Sequence, residues 1–129
     1  MAAFTLTASG VKVGTGAVVR TYTSAEAHNA GQAVTTTGVI VDINTTTKLD
    51  IAGIAVSAAS ASGQAVVVIS GDIIVSDTLT PQRQIIAAPS GQLQYDDDLL
   101  SGDQYVIVGY TKDANTITLH AKNTGVAKA

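Results

Sequence analysis

A chain of 129 residues suits one domain and is long enough to bury a hydrophobic core. Its formal charge is −3, and its basic residues (Lys12, Arg20, Lys48, Arg83, Lys112, Lys122 and Lys128) stand singly, which argues against nucleic acid as a partner. There is no cysteine, hence no disulfide framework or thiolate chemistry; with no Trp, one Phe and one Met, the core has to be built from Ala, Val, Ile and Leu.

The chain opens on MAAFTLTASGVK, which has neither the basic start nor the long apolar run of a secretion signal. Residues 1–15 are small, polar and glycine-containing. They are expected to form an extended N-terminal arm that lies over a neighbouring protein rather than in its own core, with residues 16–129 as a β domain. FTLTA (4–8) nevertheless has strand composition. GVKVGTG (10–16) has the glycines of a phosphate cradle. It lacks both the Lys-Ser/Thr of a P-loop and a following helix former, so tight β turns account for it.

Further strands are expected at AVVRTY (17–22), VIVDI (39–43), IAGIAV (51–56), AVVVIS (65–70) and IIVS (73–76). Later ones follow at RQIIAA (83–88), YVIVGY (105–110) and TITLHA (116–121). In the last, Ile117, Leu119 and Ala121 point one way while Thr116, Thr118 and His120 point the other, as in a sheet with one wet face. Only SAEAHNA (24–30) and the Ala/Ser run 57–62 have helical composition, and each is under two turns. A βαβ crossover needs a longer helix, so the expected fold is all-β: a compact single-domain β-barrel or β-sandwich with short or no helices.

Residues 51–71 carry no charge, but Ser57, Ser60, Ser62 and Gln64 interrupt them and Gly53, Gly63 and Gly71 punctuate them. Two strands around a small-residue turn fit better than a membrane span. Residues 53–71 and 109–125 also follow one order, Gly, turn, strand, Gly, as two related hairpins would. The mean hydropathy of +0.30 is high for so few charges and points to association with further copies.

YDDDLL (95–100) is the sharpest local feature. Asp96, Asp98 and Asp103 lack the closing Glu of a calcium loop, and Asp97 points away from its neighbours in an extended segment. A solvated turn is the favoured reading, a partner-facing acidic patch the next. His28 and His120 lie in different kinds of segment, and the chain has no nucleophile elbow, zinc-protease motif or phosphate loop. Tyr95 beside Asp96, or Tyr110 near Asp113 and Asn115, could read a glycan. No catalytic, cofactor-binding or metal-ligating residues are assigned, and an enzyme is not expected.

The cadence of GIAVSAASASGQAVVVISG, with Gly53, Ile54, Ala55, Gly63, Val66 and Val68, resembles the small capsid cement (head decoration) proteins of tailed bacteriophages. So does SGDQYVIVGYTKDANTITLHA, with Gly102, Asp103, Gly109 and Tyr110, although Tyr110 stands where such proteins more often have Ala. The resemblance spans residues 31–125. It implies a non-enzymatic β domain on the outer surface of the head. Its partners would be itself, as a homotrimer, and the major capsid protein, with no cofactor, nucleic acid or membrane. A tail or head-fibre component and a glycan-binding adhesin domain are the alternatives.

Overall fold

A branched Cβ packs well on a pleated surface, so runs of Val, Ile and Thr favour extended backbone. In the computed structural model, which describes residues 3–128, such runs form one curled antiparallel sheet, a half-barrel. Its strands are β1 (Lys12–Val13), β2 (Val18–Thr23), β3 (Ala33–Thr35), β4 (Ile51–Ala55) and β5 (Gln64–Ile74). After them come β6 (Gln84–Ala87), β7 (Leu93–Tyr95), β8 (Gln104–Asp113) and β9 (Thr116–Ala127). The order is β3-β4-β5-β9-β8-β6-β7, with β1 and β2 also paired to β5. The all-β expectation holds: the only helical pieces among the described residues are three-residue 3-10 turns.

β5 joins what the sequence suggested as two strands. Gly71 sits inside it at φ +83°, where a Cβ would lie 2.2 Å from the Gly16 carbonyl oxygen. A side chain would therefore meet both left-handed strain and a backbone collision. Before the glycine, β5 pairs with β2 and β4; from Ser70 onward it pairs with β9, and beyond the glycine with β1 as well. Four strands thus depend on this one.

The two look-alike segments are both antiparallel hairpins, β4–β5 and β8–β9. Their leading glycines do the same job. A Cβ on Gly53 would lie 2.0 Å from the Val68 carbonyl oxygen, and one on Gly109 would lie 2.1 Å from that of Thr118. Of the potential helices, neither forms. Segments 24–30 and 57–62 are instead pinned together by a reciprocal bridge, His28 N–H to Ala59 O at 3.0 Å and Ala59 N–H to His28 O at 3.1 Å.

The core is aliphatic, with Ile54, Val68, Ile73, Ile85, Ile86, Val106 and Ile117 fully enclosed. A smaller cluster of Val34, Ala52, Ala55, Ala65 and Val67 forms separately, with Tyr22 packed against it. The N-terminal segment corrects one expectation, since it does not lie outside its own core. Leu6 is 2% exposed, Val11 is buried beside it, and Lys12–Val13 pair with Ile73–Ile74. Burying Leu6 and Val11 is worth several kcal/mol, about 1.5–3 each, and a groove in the parent domain claims them. Thr7 fixes the path further, giving its N–H and hydroxyl to the Asp77 carboxylate, both at 2.8 Å. Met1 and Ala2 lie outside the described residues.

Candidate functional site

A sheet that does not close must do something with its edges, because unpaired N–H and C=O groups invite a foreign strand. Here two ends are covered from within. Phe4 exchanges backbone hydrogen bonds with Leu93 of β7, at 2.8 and 2.9 Å. Residues 39–41 cover β3, through Thr35 N–H to Val39 O at 2.8 Å and Val41 N–H to Ala33 O at 2.9 Å. Segments 4–8 and 39–43 had the composition of strands, and each supplies only an isolated bridge.

β2 is treated differently. It pairs with β5 on one side, and no strand of the described residues lies on the other. Every residue of it but Tyr22 is exposed. Four large apolar side chains crowd this margin: Val13 (49% exposed), Val18 (46%), Val19 (42%) and, on β5, Ile74 (44%). Arg20 in the middle of β2 makes no ion pair with any described residue. The arrangement can bind backbone to backbone, with apolar contacts beside it.

The acidic triplet forms a 3-10 turn after β7, with Asp96 and Asp97 exposed. Arg83 clamps its first two residues, with Nη2 2.7 Å from Asp97 Oδ1 and 3.6 Å from Asp96 Oδ1. The same guanidinium stacks 5.0 Å from the centroid of the Tyr95 ring. Tyr95 itself is buried; its hydroxyl accepts the Thr80 N–H at 2.9 Å, and Phe4 packs 5.5 Å from its ring. That ring is not available as a platform for a sugar. Tyr110 is exposed on β8, and Asp113 and Asn115 stand at the turn into β9. Among the described residues no three His, Asp or Glu side chains gather as a metal cluster would require.

The histidines part company. His120 is exposed on β9, whereas His28 is 4% exposed. The Ser24 hydroxyl donates to the Glu26 carbonyl at 2.5 Å and lies 3.3 Å from His28 Nδ1 and 3.5 Å from the Gly38 carbonyl oxygen. Both side chains of this pair are buried, in the turn that the His28–Ala59 bridge pins. Sequence reading missed this pair, although Ser and His four residues apart in TSAEAH carried it. It also missed Asp72, buried on β5, which accepts from Thr118 Oγ1 at 2.7 Å and from Lys112 Nζ at 3.3 Å. Asp72 and Thr118 face each other in the β5–β9 register, so this is a cross-strand staple.

No protein-family model, curated protein or solved structure matches the chain.

Proposed function

We propose that this chain is a structural virion protein that decorates and stabilises the outside of a tailed-phage capsid. It sits on the outer surface of the head, associated with copies of itself and with the major capsid protein. The observation that carries the reading is the open, valine-lined margin of β1 and β2, in a domain whose ends at β3 and β7 are covered from within. Main-chain groups along such a margin can extend a neighbouring sheet. The cadence of the β4–β5 and β8–β9 hairpins supports it from the side of the sequence.

The role asks for mass action rather than chemistry. Copies that bind the assembled shell and not its separated subunits lower the free energy of the assembled state. Each contact can be weak when many are presented together. An aliphatic domain without thiols suits a surface exposed to proteases and oxidants.

Co-sedimentation with expanded and unexpanded heads of the encoding phage tests the reading. Saturable binding to expanded heads alone is the expected result. Failure to bind either form, at concentrations where the protein is folded, overturns it.

A further inference from the structure

We infer that the open edge of β2 is an interface for a second copy of this chain, joined by antiparallel β2–β2 pairing about a two-fold axis through Thr21. The strand's own sequence selects both the partner and the register.

Two identical antiparallel strands are related by an axis perpendicular to their sheet. Directly opposed side chains lie on the same face, and faces alternate along a strand. The axis therefore passes through a residue, not between two. An axis through Val19 would run into the bulge between Val18 and Val19, which breaks the alternation. One through Arg20 would set two guanidinium groups directly against each other. One through Tyr22 would draw in Ser24, which is buried and whose N–H is already given to Gly63 O at 2.8 Å.

An axis at Thr21 avoids these faults over residues 19–23, and the bulge and Ser24 then mark the two ends of the pairing. Thr21 is exposed, and on the axis it meets the second copy's Thr21, a favourable cross-strand pair. Arg20 then opposes the second copy's half-buried Tyr22, which sets a guanidinium without an ion pair in the described residues beside an aromatic side chain. Val19 opposes the second copy's Thr23. The exposed Val18 stands at the end of the paired stretch, with Val13 and Ile74 further along β1 and β5. The arrangement pairs two copies, whereas the resemblance to capsid cement proteins implies three.

The absence of cysteine makes the register measurable. Opposed residues in an antiparallel pair have Cα atoms about 4.5–5.5 Å apart, inside the span of a disulfide. In Thr21→Cys, oxidation is expected to give a covalent dimer. In Thr23→Cys the two thiols stand four residues out of register, more than about 13 Å apart, and no dimer is expected. Sedimentation velocity of the unmodified chain, from micromolar to millimolar concentration, should show a monomer–dimer equilibrium. Thr21→Lys should weaken it by about tenfold or more while leaving the circular dichroism and melting temperature unchanged. A monomer throughout that range, a trimer, or cross-linking as efficient at position 23 or 20 as at 21 overturns the inference. The capsid reading is tested separately: a dimer that ignores phage heads leaves this interface standing.

Discussion

Arg83, just before β6, reaches across to the turn after β7 and holds Asp97 at 2.7 Å, with its guanidinium plane over Tyr95. Both members of the ion pair keep substantial contact with water, so the pair contributes little by itself. Asp97→Asn should cost at most about 0.5–1 kcal/mol. Arg83→Ala also removes the stacking and should cost about 1–2 kcal/mol. Urea denaturation of both single variants and the double variant separates the two contributions.

Thr111 is a buried staple. Its hydroxyl donates to Thr80 O at 2.6 Å and accepts the Arg83 N–H at 2.9 Å, tying the 80–83 turn to β8. Thr111→Val keeps the shape and strands both partners, so a loss of about 1–3 kcal/mol is expected. Thr111→Ser keeps the hydroxyl and loses one methyl, about 1 kcal/mol. The expected order in chemical denaturation is wild type, Ser, then Val; equal stability of Val and wild type would contradict the staple.

Leu6→Ala tests whether the first residues belong to the domain. A fully enclosed leucine costs about 2–5 kcal/mol on truncation. Deleting residues 1–15 should therefore lower the melting temperature sharply, where a free arm would leave it unchanged.

Asp113 ends β8, and its carboxyl is held below the ordinary carboxylate value, chiefly by accepting the Asn115 N–H at 2.9 Å and then by the Thr116 side chain. A group whose folded value is depressed favours the folded state above its unfolded pKa. That contribution fades as the pH falls through the folded value. Carbon-detected titration should place the Asp113 midpoint below that of the unfolded chain. The stability gap between wild type and Asp113→Asn should be present at neutral pH and vanish in strong acid.

Much of the sheet was legible because β-branched runs carry their own signal. AVVRTY, IAGIAV, RQIIAA and YVIVGY all fall on strands, and the in-out alternation of Ile117, Leu119, Thr118 and His120 holds in β9. β3 and β7 were not foreseen, since three residues are too few to display a period. FTLTA and VIVDI read as strands because Leu6, Val41 and Ile43 are indeed buried. Their backbone pairing depends on neighbours distant in sequence, and each meets a strand at a single bridge. The triplet was legible as a turn. Its clamp was not, because nothing local to YDDDLL points to Arg83.

β5 draws its neighbours from opposite ends of the chain, with β1 near the start and β9 the final strand. During translation the central strand therefore leaves the ribosome with one flank waiting for a hairpin not yet made. Until β9 emerges, an apolar, β-prone segment has to stay single, held apart from other nascent chains or sheltered by a chaperone. The burden of folding this domain falls on the moment when β9 becomes free to pair.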